Sequence, residues 1–572
     1  MSEEDQSELG VPVWVPAGDQ GHALAARVHR PRRGRIRRIL VLAPPFGREQ
    51  VISSRTLRVL AVRAARDHGA LVLRSSWSGT GESTEPLRQD PARAWARDLI
   101  QLIRTGRELA PGAAVTVIGL RLGAAVAASV LEHPEAPEAA VLWEPIDGRR
   151  FVREQRALRR LSIEQPSDPG GVEIPGVLLT SQQAGSLKSL KLPEDGQQRA
   201  GVQMLSASDR TAVEKVYAVA SRDAEVPVEI VEEVIRRATD AAPAAERMTT
   251  WQPTADSAGR LLADLPRRWL SPGPEGTRIV QEFVEIGPHG LPGVLTAADS
   301  PADLSRMPGM LLVAADAEPM DGPTGLWARA ARDLAARGSV VLRSDRRGIG
   351  EGADPQQLRE PMPYTEEAVE DVREALGFLR GRIDRPVVSA GLCSGAWFAL
   401  RCARDGADRV VLLNTIAWTP RGAYYWRYYR DGLLQQALGG REALLAAPES
   451  WKGRLKHRLK AARDLARQGM PGPLRRGLSR LGLMQSVGQM FRDPATTPPV
   501  TVYVGADDEA SFAAAGGRRE VQRLRRRGFD IRVEPLGDAD HALLAASSRR
   551  LALVALHDAV GSEPIDRGAS AA

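Results

Sequence analysis

Two cysteines occur in the 572-residue chain, and their settings differ. Cys393 stands at the centre of Gly391-Leu392-Cys393-Ser394-Gly395, between an apolar run at 386–390 and an Ala-rich stretch at 396–403. A nucleophile held at the tip of a strand-to-helix turn needs small residues two before and two after it, because the chain reverses too tightly for side chains there. Gly391 and Gly395 meet that need. The helix N-terminus behind such a turn favours a thiolate over a thiol, and a nearby imidazolium adds to the effect. Cys393 is therefore the candidate nucleophile. Cys402, close to Phe398, Ala399 and Leu400, reads as core.

A thiol nucleophile needs a base, and the base an orienting carboxylate. The stretch 501–504 has strand composition and ends in Gly505-Ala506-Asp507-Asp508, and a further strand at 529–534 ends in Gly537-Asp538-Ala539-Asp540-His541. His541 is the candidate base, with Asp508 or Asp507 as its partner. The other histidines of this half are less well placed: His289 precedes the parallel strands, His457 lies in a basic helical stretch, and His557 falls within the last helix. Attack on a carbonyl also calls for N–H donors to the oxyanion. The backbone of Ser394 is one, and a residue within 316–318, centred on Ala317, is the other. Together these residues imply acyl transfer through a thioester on Cys393.

The elements needed to hold them occur twice. Strands at 39–43, 70–74 and 114–118 alternate with helices at 55–68 and 92–109, and strands at 311–314, 339–343 and 386–390 alternate with helices at 326–337 and 366–379. Short apolar strands alternating with amphipathic helices mean crossover units, so both halves are expected to be α/β, with mostly parallel sheets covered on both faces. Ser271-Pro272-Gly273-Pro274-Glu275-Gly276 reads as the linker, following a helical segment around Leu262 and Trp269. The expected domains are 1–272 and 277–562, with a tail at 563–572. The segment 424–480 is rich in tyrosine and then in Lys and Arg (Lys452, Arg454, Lys456, Arg458, Lys460), and is expected to form a helical lid within 420–490.

The first half carries the matching turn Gly119-Leu120-Arg121-Leu122-Gly123, with an arginine at its apex. A guanidinium stays protonated and cannot attack a carbonyl. The last histidine before the linker is His133, on the helix after the turn, so no late base follows. This half is expected to keep the architecture without the chemistry, with Arg121 in a structural or interface role, binding of a carboxylate or phosphate being the less favoured alternative. Gly79-Thr80-Gly81 and Gly348-Ile349-Gly350 fit tight loops after strands and match no full nucleotide-binding fingerprint. No cofactor and no metal is expected.

Composition narrows the classes further. A 43% hydrophobic and 26% charged chain suits globular domains, and 78 Lys+Arg against 71 Asp+Glu leave +7, too small a surplus to indicate nucleic acid. Two cysteines make no disulfide framework, the acidic start Met1-Ser2-Glu3-Glu4-Asp5 is no signal peptide, and no apolar run reaches membrane-spanning length. A cytoplasmic location is expected.

These residues also resemble a known grouping. Gly119-Leu120-Arg121-Leu122-Gly123, with Pro44-Pro45-Phe46-Gly47 upstream and Leu142-Trp143-Glu144-Pro145 downstream, is similar to one class of exosortase-associated α/β-hydrolase, and Gly391-Leu392-Cys393-Ser394-Gly395 with Asp540-His541 resembles the partner class. The likeness covers most of both halves and implies two tandem α/β-hydrolase domains, fused here, with a Cys393, Asp508 and His541 site. The cysteine elbow is also similar to that of dienelactone hydrolases. One departure is Thr324 after Pro323, where the partner class implies a histidine. The expected function is that of an acyltransferase or thioesterase on a small acyl substrate, for which a carrier-protein or CoA thioester is one source. The alternatives are a carboxylic-ester or lactone hydrolase and a non-catalytic tandem scaffold.

Overall fold

The structure is a computed structural model that describes residues 9–18, 20–193, 201–241, 253–299, 307–352, 357–358, 362–425 and 470–561. The chain divides into two compact units, the first comprising Met1–Arg159, Asp168–Phe283 and Ala353–Glu360, the second Arg160–Ser167, Val284–Gly352 and Pro361–Ala572.

In the first unit the chain forms β1 (Val11–Ala17), β2 (His22–His29), β3 (Arg38–Ala43), α1 (Arg48–His68), β4 (Leu71–Ser75), α2 (Pro91–Leu109), β5 (Ala114–Leu120), α3 (Leu122–Ser129) and β6 (Ala139–Trp143). Helix α4 (Gly148–Ser162), a short hairpin β7 (Val172–Ile174) and β8 (Val177–Leu179), and α5 (Ser181–Ser189) precede β9 (Val202–Leu205). The seven-stranded sheet runs β1-β2-β4-β3-β5-β6-β9. Its antiparallel pairs are at one end, where β2 meets β1 and β4, and β4, β3, β5, β6 and β9 are parallel neighbours in that order. Every residue of β5 and β6 is buried, as central strands covered on both faces require. Pro12 and Pro16 fall on β1, an outer strand, where a missing N–H costs no ladder bond.

Helices α6 (Arg210–Tyr217), α7 (Val228–Asp240) and α8 (Ala255–Ala263) follow. The expected linker is instead a β-hairpin. Trp269, Ser271 and Pro272 lie in β10 (Arg268–Pro272), a 3₁₀ turn occupies Pro274–Gly276, and β11 (Arg278–Ile286) returns antiparallel with Pro272 opposite Arg278. The Pro and Gly residues there shape a turn between paired strands. The preceding helix accordingly ends at Ala263, short of Trp269.

The second unit repeats the plan with β12 (Leu291–Ala298), β13 (Gly309–Val313), α9 (Leu326–Ala336), β14 (Val341–Ser344), α10 (Glu366–Arg382), β15 (Val387–Leu392), α11 (Ser394–Arg401) and β16 (Arg409–Leu413). Then come α12 (Gly472–Arg480), β17 (Val500–Val504), α13 (Glu509–Ala514), α14 (Gly517–Arg525), β18 (Ile531–Pro535) and α15 (Ala546–Gly561). From β12 onward the order is β12-β14-β13-β15-β16-β17-β18, with β12 antiparallel to β14 and all later pairs parallel. A strand order that crosses over at β3/β4 and at β13/β14, with helices between parallel strands and a sharp turn after the next strand, is that of the α/β-hydrolase fold in both units. Most of the expected lid, including Trp426, Tyr428, Tyr429, His457 and the basic cluster, lies outside the described residues, as does the tail at 563–572. No helix among the described residues is long and apolar enough to cross a membrane.

Candidate active site

Cys393 sits between β15 and α11 at φ 52°, ψ −114°. A non-glycine residue held there stores strain of about 1–3 kcal/mol, tolerated only where the surroundings fix it. They do so closely. An added Cβ on Gly391 would run into the Gly395 carbonyl, and one on Gly395 into the carbonyl oxygen of Val313 on β13. The Cys393 N–H donates to the Leu413 carbonyl (3.0 Å), tying the apex to the neighbouring strand, and the side chain is buried.

His541 follows β18, and its Nδ1 lies 2.8 Å from both oxygens of Asp508, which is buried in the turn after β17. The two aspartates left open by the sequence divide the work. Asp508 engages the ring, whereas Asp507 accepts the His541 backbone N–H (3.2 Å) and the Gln165 Nε2 (3.1 Å). Burial pulls the imidazole pKa down, but the Asp508 carboxylate and, after it, the Cys393 sulfur hold it well above the ordinary histidine value. His541 Nε2 is buried with no hydrogen bond of ordinary geometry among the described residues, although Cys393 is near enough for its charge to be felt. Catalytic hydrogen bonds are often long or misaligned before substrate arrives.

The loop after β13 carries the second set of N–H groups. Asp316, at φ 39°, donates its N–H to the Ser394 hydroxyl at 2.6 Å, and Arg346 donates to the Asp316 carbonyl at 2.7 Å. The Glu318 N–H is spent on Ala315 (2.8 Å). Of the residues 316–318, Ala317 thus keeps its N–H unengaged among the described residues, as does Ser394 at the start of α11. The Ser394 side chain, which sequence reasoning considered only for its backbone, is what pins this loop.

Two further residues at the site were not foreseen. Tyr364, at φ 66°, is buried against Trp397 (5.1 Å between ring centroids) and Tyr425 (4.3 Å). Its phenol is raised well above the usual value by burial and then by the nearby Cys393 sulfur, so it stays a proton donor at neutral pH. The only sequence signal was the proline on either side of Met362 just before it. Asn414 directly follows β16 at φ 47°, a conformation that Asn tolerates better than most residues.

Of the other histidines considered, those within the described residues have partners or positions of their own. His289 Nε2 is 3.2 Å from Arg347, His557 is in α15, and the ring of His133 accepts the Glu135 N–H. Cys402 donates to the Val369 carbonyl at 3.3 Å, and burial pushes its thiol up to about 12.

In the first unit Arg121 adopts φ 54°, ψ −121°, nearly the angles of Cys393. Its guanidinium forks onto Glu49 (3.2 and 3.1 Å), reaches Glu154 (3.0 Å) and lies 4.3 Å above the Tyr217 ring. Gln155 also donates to Glu49 (2.9 Å).

No protein-family model and no curated protein matches the sequence. Among solved structures, the chain is similar to a brefeldin A esterase described as a bacterial homologue of human hormone-sensitive lipase (18% identity, TM-score 0.28, 51% of this chain and 73% of that one). It is also similar to a Pyrobaculum calidifontis esterase (16%, 0.29, 50% and 86%) and to a dienelactone hydrolase-like promiscuous phosphotriesterase from metagenomic libraries (15%, 0.28, 49% and 96%). The fold assignment rests on the strand order and the elbow geometry.

Proposed function

We propose that the second unit is a cysteine-dependent acyl-transfer enzyme, with Cys393, His541 and Asp508 as nucleophile, base and orienting carboxylate. The observation that carries this reading is the buried Asp508–His541 pair beside a cysteine in a strained strand-to-helix turn. His541, oriented by Asp508, takes the thiol proton as the sulfur is engaged. The sulfur attacks a carbonyl carbon, and the oxyanion that forms is met by the N–H groups of Ser394 and Ala317. Collapse of the intermediate expels the leaving group, which takes its proton from His541, and leaves an acyl thioester on Cys393. A second nucleophile, deprotonated by His541, then takes the acyl group and restores the thiolate.

A thiol accepts an acyl group from a thioester donor at little thermodynamic cost, which favours a CoA or carrier-protein thioester as the source and a thioesterase or acyltransferase as the activity. Hydrolysis of a carboxylic ester or lactone uses the same machinery with water as acceptor. The two units then correspond to the two exosortase-associated hydrolase classes in one chain, the first non-catalytic. A reducing cytoplasm suits a free thiol at the site.

The test is intact-protein mass spectrometry of the whole chain mixed with acetyl-CoA. Wild type should gain one acetyl group on Cys393, lost faster when an alcohol or amine is added if transfer is the activity. Cys393→Ala should gain none. An adduct that persists in Cys393→Ala, or none in wild type with either acetyl-CoA or p-nitrophenyl acetate, sinks the reading.

A further inference from the structure

The turn bearing Asp508 and the turn bearing His541 follow different strands, yet their facing groups are aligned with both carboxylate oxygens 2.8 Å from one ring nitrogen. One fully buried side chain touches both turns. Asn414 Nδ2 donates to the carbonyls of Asp540 (3.0 Å) and His541 (3.2 Å), while its Oδ1 accepts the N–H of Gly505 (2.9 Å). Gly505 in turn accepts the Asp508 N–H at 3.0 Å. The Asn414 backbone is fixed as well, donating to Tyr503 on β17 at 3.0 Å.

Only a primary amide supplies two donors and an acceptor in this layout. An aspartate of the same shape would turn a carboxylate toward two carbonyls. The space is closed too, since a Cβ on Gly505 would meet the Ala539 carbonyl at 2.6 Å and Asn414 Oδ1 at 3.0 Å. The corresponding residue of the first unit, Glu144 after β6, shares the backbone at φ 44° and donates its N–H to Leu205 on β9 (2.8 Å). Its carboxylate only accepts, from Ala207 N–H and Arg210 (2.6 Å each), and so holds the turn after β9 without donating to a second turn. The donor half of Asn414 has its purpose where a histidine-bearing turn exists.

We infer that Asn414 is a positioning residue that sets the Asp508–His541 pair by clamping the two turns together. The inference rests on the proposed role of that pair in activating Cys393. Besides Asp508, the titratable groups around His541 among the described residues are the Cys393 thiol, Asp507 on its backbone N–H, and Asp540, whose carboxylate is engaged by the Leu544 and Ala545 N–H groups (2.8 and 2.9 Å).

The test compares wild type, Asn414→Asp and Asn414→Ser as full-length chains, reading iodoacetamide alkylation of Cys393 by peptide mass spectrometry from pH 5 to 9. Asn414→Asp should slow alkylation at pH 7 about tenfold and move the midpoint of the profile upward by about one pH unit, since a tenfold change corresponds to one unit. Asn414→Ser, which keeps one donor, should fall between. Superimposable profiles in folded variants overturn the inference. So does loss of folded protein in both, which would make Asn414 a residue of the fold and not of the site. A wild-type Cys393 that alkylates no faster than free cysteine, or an unaltered profile in His541→Ala, counts instead against the underlying catalytic reading.

Discussion

The two elbows share a backbone and differ in almost everything the backbone presents. Both apex residues sit near φ 53°, both are flanked by glycines that a Cβ would force into neighbouring carbonyls, and both donate their N–H to the last residue of the next strand. At Cys393 the strained turn delivers a sulfur toward a histidine with a carboxylate behind it. At Arg121 the same turn delivers a cation into two glutamates and an aromatic ring, with three hydrogen bonds made inside the unit. A nucleophile elbow is therefore a way of aiming a side chain, and it becomes a catalytic device only when the turns after the last strands supply a base. The buried ion pair with Glu49 holds the Arg121 side chain in one place.

Breaking each apex should separate the two roles. Arg121→Ala should leave Cys393 alkylation by iodoacetamide within about twofold of wild type, because its partners all lie in the first unit. It should instead lower the stability of that unit by about 3–5 kcal/mol, since removing one member of a buried pair strands the other. Burial already pushes the Glu49 carboxyl up even with Arg121 beside it, so without the guanidinium it should take up a proton. Arg121→Met combined with Glu49→Gln should therefore recover most of the loss. Calorimetry of both variants checks the stability, and a lost Cys393 reactivity in Arg121→Ala would show that the first elbow serves the second site.

A smaller effect tests why Ser394 stands where the first unit has Leu122. Its hydroxyl accepts the Asp316 N–H at 2.6 Å, and that bond fixes the loop whose next N–H belongs to Ala317. Ser394→Ala keeps the backbone donor and frees the loop. The expected result is a fall of about tenfold in kcat for p-nitrophenyl acetate with KM within about twofold, the pattern of an interaction that matters most in the transition state. A change confined to KM would argue that the loop handles substrate binding.

How far the sequence led can be judged from the same residues. The elbows were legible because their glycines answer a local steric demand, and the crossover units because apolar periodicity is local. The order of Cys393, an aspartate of the 507–508 pair and His541 followed from strands read one at a time. What escaped depends on pairing across long separations. The Pro- and Gly-rich stretch at 271–276 reads as a linker until Pro272 is seen opposite Arg278, and the outer strands β1 and β2 gain their meaning only from the sheet. Nothing local in Ala506-Asp507-Asp508 distinguishes the ring partner from the backbone partner. Asn414 lies 91 residues from Gly505 and 127 from His541, so its clamp has no signature in sequence.

The smallest expected effect concerns what His541 contributes to the fold. The folded-state pKa of His541 lies well above the ordinary value of 6.5, which means that the native state binds its proton more tightly than the unfolded chain does. The resulting stabilisation is fully present below about pH 6.5, and it is lost as the pH rises from there through the folded value. The dependence can be no steeper than about 1.4 kcal/mol per pH unit for a single proton. His541→Gln removes the titration, so the difference in unfolding free energy between wild type and variant should narrow progressively above pH 6.5. If it widened with pH instead, the buried ring would be neutral in the native state, and the Asp508–His541 pair would lose the charge on which the contrast with the Arg121 elbow depends.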